Sequence, residues 1–84
     1  MKNIIMYTGP MCNFCNAAKR LFSRNKIKYH EIDISTKDSL IDEMIKKANG
    51  KRTIPQIFFD NLHIGGYQEL RALEKNGELN NLLK

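Results

Sequence analysis

The chain has 84 residues, 42% of them hydrophobic and 27% charged, the size and make-up of one small folded domain spanning residues 1–84, near the lower limit for a single apolar core. Nothing approaches the roughly 18 apolar residues of a membrane span; the start, "MKNIIMYTGP", falls short of the roughly 7–15-residue core of a secretory signal, so a cytoplasmic location is expected. The net charge of +5 comes from 14 basic and 9 acidic residues, scattered and not interleaved with aromatics, which argues against nucleic acid and for a solvated surface attractive to small anions.

Ile4-Ile5-Met6-Tyr7 is a short apolar run closed by Thr8-Gly9-Pro10, the pattern of a strand buried on both faces and a following turn. From Asn13 to about Arg24, Ala18, Leu21 and Phe22 recur at helical spacing while Lys19 and Arg20 turn away. Lys28 to Ile34 alternates imperfectly, but Tyr29, Ile32 and Ile34 favour a second strand. Ile41, Met44, Ile45 and Ala48 then mark a helix, with Ser35 or Thr36 as its cap, Asp42–Lys46 and Glu43–Lys47 as supporting pairs, and Gly50 as its stop. Gln56 to Phe59 and Leu62 to Ile64 flank Asp60-Asn61 and predict a tight hairpin. Gly65-Gly66 breaks the second arm, and Leu70, Leu73, Leu79, Leu82 and Leu83 form a last helical stretch interrupted at Asn76-Gly77. The order β-α-β-α-β-β-α implies an α/β fold, in which a right-handed crossover joins two parallel strands, the hairpin adds antiparallel ones, and helices cover the mixed sheet.

The only two cysteines stand in "PMCNFCN", at the junction of the first strand and first helix. A helix N-terminus carries partial positive charge and unpaired N–H groups, and thiols placed there fall in pKa from about 8.5 to between about 3.5 and 7.5. Cys12 therefore suits the attacking thiol, and Cys15, one turn inside, the resolving one. Two other readings stand beside this redox pair. A zinc site would need His30 and His63, which are far apart in the chain and not a close local pair; small, apolar cysteines also serve simply as core residues.

The C-x-x-C at a strand-to-helix turn, Thr53-Ile54-Pro55 before a strand, and Gly65-Gly66 after the hairpin occur in this order in the glutaredoxin family. Over essentially its whole length the chain resembles a small bacterial-type dithiol glutaredoxin. The resemblance implies a thioredoxin-like fold with a four-stranded mixed sheet and three or more flanking helices. It implies glutathione as electron donor, and reduction of protein disulfides and glutathione mixed disulfides as the activity. Disulfide-bearing or glutathionylated proteins would be the partners, ribonucleotide reductase among the candidates, and the protein would act as a monomer.

By the same resemblance Cys12 and Cys15 are catalytic and Pro55 is cis and faces Cys12. Ile54 would offer its backbone N–H and C=O to the cysteine unit of glutathione, as an edge strand does. Thr53 and Phe14 would border the ligand. Gly66 permits close approach, the N–H groups of Tyr67 and Gln68 would hold the γ-glutamyl carboxylate, Glu69 its amino group, and Lys51 or Arg52 the glycine carboxylate.

Three departures stand out. Asn13-Phe14 replaces the Pro-Tyr of many relatives, Gly9 stands where relatives often carry a lysine, and Gln68-Glu69 replaces an acidic pair. Two alternatives follow. One is a thioredoxin-like redoxin fed directly by a flavoprotein reductase, although that group tends to lack the Gly65-Gly66 segment. The other is a [2Fe–2S] carrier, because losing the rigid proline at Asn13 frees the helix terminus; its cluster would bridge two protomers through Cys12 of each and two glutathione thiolates, and only then would a dimer form.

Overall fold

The computed structural model describes residues 2–84. Its elements are β1 (Ile4–Thr8), α1 (Asn13–Arg24), β2 (His30–Asp33), α2 (Asp38–Lys47), β3 (Gln56–Phe59), β4 (Leu62–Gly65), α3 (Tyr67–Lys75) and α4 (Leu79–Leu83). The order matches that predicted, except that the break at Asn76-Gly77 divides the last stretch into two helices.

The strands form one sheet in the order β2-β1-β3-β4. β1 pairs in parallel with β2 and antiparallel with β3, and β3 pairs antiparallel with β4. Successive side chains of a strand point to opposite faces, and β1 is apolar on both. Ile4 and Met6 join Leu21, Phe22, Ile57, Phe59, Leu70 and Leu83 on the face covered by α1, α3 and α4. Tyr7 joins Met44, Ala48 and Phe58 on the face covered by α2. This central strand places the Thr8–Cys12 turn at one end of the sheet.

Three local expectations are corrected. Neither Ser35 nor Thr36 caps α2; the N-cap is Lys37, with no side-chain bond to the helix. The Asp33 carboxylate has already taken the Ser35 N–H and hydroxyl, at 2.8 and 2.6 Å, and its carbonyl takes the Thr36 hydroxyl at 2.8 Å. Those side chains close the turn after β2 and are spent there. At the other end Asn49, with φ of 57°, takes the left-handed position directly after the helix, and Gly50 follows at 90°. The second strand also begins later than predicted, at His30, where its pairing with β1 starts opposite Ile5.

Arg24 at the end of α1 is tied to Glu74 of α3. The guanidinium donates to both carboxylate oxygens, at 3.0 and 2.8 Å, and Asn25 adds a third bond at 2.6 Å. These partners, the Arg24 guanidinium foremost, hold the Glu74 carboxyl down to about 2 from its usual 4.5. A depressed carboxylate stabilises the fold fully above its unfolded pKa and loses that contribution as pH falls through the folded one. The melting-temperature gap between the native protein and Glu74→Gln is therefore expected to be widest above pH 5 and to close towards pH 2. A gap constant across that range, read by circular dichroism, would contradict this account.

Candidate functional site

Cys12 occupies the N-cap of α1 in extended conformation, with φ −116° and ψ 103°. The preceding residue, Met11, has φ of 54° and a fully exposed side chain. The Cys15 backbone N–H points at the Cys12 sulfur, N···S 3.0 Å, so an otherwise orphaned helix donor serves the sulfur. Such a donor, together with the helix dipole, favours the thiolate over the thiol. Cys12 and Cys15 are joined as a disulfide. Cys12 is half-buried, whereas Cys15 is only 1% exposed and belongs to the core. An incoming nucleophile therefore reaches Cys12 first.

The Cys12 sulfur lies 3.7 Å from the Ile54 carbonyl oxygen, and the Ile54–Pro55 peptide is cis. Beside them runs a cleft of about 350 Å³ lined by Phe14, Thr53, Ile54, Pro55, Gly66, Tyr67, Gln68 and Glu69. Phe14, on the first turn of α1, is 57% exposed and stacks on Tyr67 of α3, ring centroids 6.1 Å apart. Every predicted binding residue except Lys51 and Arg52 thus lines one cleft next to the thiol. Lys51 is exposed and outside that lining; Arg52 is exposed as well.

Glu69 has a task that the sequence reading did not assign. Its Oε1 accepts the Gly66 N–H at 2.7 Å, which fixes the start of α3. The signal was present, since Gly66 and Glu69 stand at the N-cap and N3 spacing at which an acidic side chain reaches back. Oε2 has no such bond within the helix cap. Gly9, where relatives often have lysine, packs against Ile54: a Cβ there would lie 2.8 Å from Ile54 Cδ1. Next to it, the buried Thr8 donates to Glu31 at 2.6 Å, and Lys19 lies 2.8 Å from the same carboxylate oxygen. The Lys19 ammonium, then the Thr8 hydroxyl, lower the Glu31 pKa, and Glu31 raises that of Lys19. This network ties the end of β1 to β2 and α1 just before the thiol turn.

Among the described residues no group of three or more histidine, cysteine or acidic side chains gathers in metal-binding geometry. No helix in them is long and apolar enough to cross a membrane. What the site offers is a thiol pair of unequal exposure, a backbone edge beside the outer sulfur, and a cleft ending at a helix N-terminus.

A glutaredoxin family model matches residues 4–64. The chain is 42% identical to glutaredoxin 3 of Escherichia coli over 84 residues, covering all of both chains. A solution structure of glutaredoxin from Brucella melitensis is 43% identical, with a TM-score of 0.87 over 100% of this chain and 90% of that one. A crystal structure of a buckwheat glutaredoxin–glutathione complex shares the fold at 24% identity, with a TM-score of 0.87 over 98% of this chain and 76% of that one.

Proposed function

The chain belongs to the glutaredoxin family and is a thiol–disulfide oxidoreductase; on that premise we propose that it is glutathione-dependent and works as one domain in a reducing, cytoplasmic setting. The observation that carries the reading is the cleft of about 350 Å³ running from the Ile54 edge beside Cys12 to the start of α3. It suits a short, extended, thiol-bearing peptide with a carboxylate at each end. Ile54 would pair with the cysteine unit, and the Tyr67 and Gln68 N–H groups would bind the γ-glutamyl carboxylate. Glu69 Oε2 would bind the amino group, Lys51 or Arg52 the glycine carboxylate, and Thr53 and Phe14 would wall the sides. The buckwheat complex holds glutathione on the same fold, which agrees with glutathione as the ligand.

The chemistry follows from the unequal exposure of the sulfurs. With a glutathionylated substrate, the Cys12 thiolate attacks the glutathione sulfur. A Cys12–glutathione disulfide forms, and the substrate leaves as a thiolate that takes up a proton. A second glutathione thiolate attacks the bound glutathione sulfur, releasing oxidised glutathione and the Cys12 thiolate. With a protein disulfide, Cys12 forms the mixed disulfide and Cys15 displaces the substrate, giving the Cys12–Cys15 disulfide. Two glutathiones then return it to the dithiol, the first attacking the more accessible Cys12 sulfur and expelling the Cys15 thiolate.

The [2Fe–2S] alternative rests on Asn13 and is not proposed. The test of the main reading is a coupled assay on a glutathionylated small disulfide. Glutathione with glutathione reductase should sustain turnover; turnover only with thioredoxin reductase would transfer the protein to the reductase-fed class.

A further inference from the structure

Gln56 opens β3 directly after Pro55, and its side chain is 1% exposed. Its amide nitrogen donates to the Thr53 carbonyl at 3.0 Å and to the Thr53 hydroxyl oxygen at 3.1 Å. Its amide oxygen lies 2.7 Å from His63 Nε2. A carbonyl can only accept, so Thr53 fixes which end of the amide faces it and leaves the amide oxygen to His63. The imidazole must then donate from Nε2. Burial, and then the Lys51 ammonium, push the His63 pKa down, while Glu69 acts in the opposite direction.

The hairpin brings these residues together. Phe58 lies opposite His63, and the two rings stack at 4.9 Å with 25° between their planes. Gln56 lies two residues before Phe58 on β3, hence on the same face of the sheet. Its side chain folds back along the strand to clasp Thr53, an exposed residue outside the strands.

We infer that Gln56 and His63 are positioning residues of the glutathione site: the His63 Nε2–H orients the Gln56 amide, and the amide holds Thr53 so that the Ile54 backbone stands in register with Cys12. Neither side chain lines the cleft; both act through Thr53. A pairing edge held in place before the ligand arrives spares the ordering cost on binding, so the clasp lowers KM more than it raises kcat. This inference rests on the glutathione reading above.

Two measurements test it. A nitrogen-edited spectrum of the imidazole in the native protein should show Nε2 carrying its proton at pH 7; an unprotonated Nε2 there would overturn the inference without any variant. In the coupled assay Gln56→Met, close in length but without either bond, should raise the KM for glutathione about tenfold, the scale of one neutral hydrogen bond. The kcat and the alkylation rate of reduced Cys12 should stay within about twofold. His63→Met should raise the same KM less, His63→Gln should restore it, and the double Met variant should resemble Gln56→Met alone, because the two act in series. An unmoved KM, a loss confined to kcat, or additive effects would overturn the inference while leaving the glutathione reading intact. Absence of native turnover with glutathione would remove both.

Discussion

Cys12→Ser is expected to abolish thiol transfer on every substrate, by roughly 10³-fold or more, the scale seen when a reacting group itself is removed. Only the Cys12 sulfur combines a place beside the Ile54 edge of the cleft with a helix N–H directed at it, the Cys15 N–H at 3.0 Å. A serine hydroxyl in the same place stays protonated at neutral pH and offers no equivalent nucleophile. Cys15→Ser should behave differently. On glutathione mixed disulfides glutathione resolves the Cys12 adduct, so much of the activity should persist. On protein disulfides the buried Cys15 sulfur is the resolving group, and there the activity should fall sharply. Measuring both variants on both substrates separates the roles; equal losses throughout would contradict the division between a more accessible attacking sulfur and a buried resolving one.

The second large effect is expected at Gly65. Its φ of 117° lies outside the left-handed range open to residues with a Cβ, and a Cβ built there would lie 2.7 Å from Glu69 Oε1 and 3.0 Å from Glu69 Cγ. Gly65→Ala therefore adds backbone strain and also pushes away the carboxylate that accepts the Gly66 N–H at 2.7 Å. Strain of about 1–3 kcal/mol and a lost cap of about 0.5–2 kcal/mol together suggest a loss near 2–4 kcal/mol. For a domain of this size that is a fall in melting temperature of roughly 10–25 °C. Gly50 supplies the control: its φ is 90° but nothing lies within 4 Å of a Cβ there. Gly50→Ala should cost the strain alone and leave the KM for glutathione unchanged, whereas Gly65→Ala should also raise that KM. Equal stability losses in the two variants would remove the role given to the Glu69 cap.

The order of strands and helices was legible because each element announces itself locally. Ile4–Tyr7 is apolar on both faces, α1 and α2 repeat at helical spacing, and Asp60-Asn61 supplies a turn, with Asp60 at φ 53°. Cys12 was legible for the same reason, since a strand, a turn and a helix start are read from adjacent residues. What escaped notice depends on residues that meet only after folding. Ser35 looked like a cap, but Asp33 two residues earlier captured it. Lys51, which the resemblance offers for the glycine carboxylate, stands outside the cleft lining, a position set by the loop and not by any local pattern. The Gln56–His63 contact needs the hairpin register, which shifts between Ile57 and Phe58, and no local pattern of residues encodes that shift.

The central place of β1 bears on how the protein is made. Ile5 pairs with His30 on one side and Phe58 on the other, and Ile4 pairs with Phe59. The first of the four sheet strands thus waits for the synthesis of roughly fifty further residues before both its flanks are closed, several seconds at about 5–20 residues per second. Such distant partners also slow folding relative to a bundle of similar length. During that interval a nascent chain carries both thiols but lacks the Ile54 edge, the cleft and the β3 strand beside β1, so its redox site is assembled last, when the sheet closes around the strand that was synthesised first.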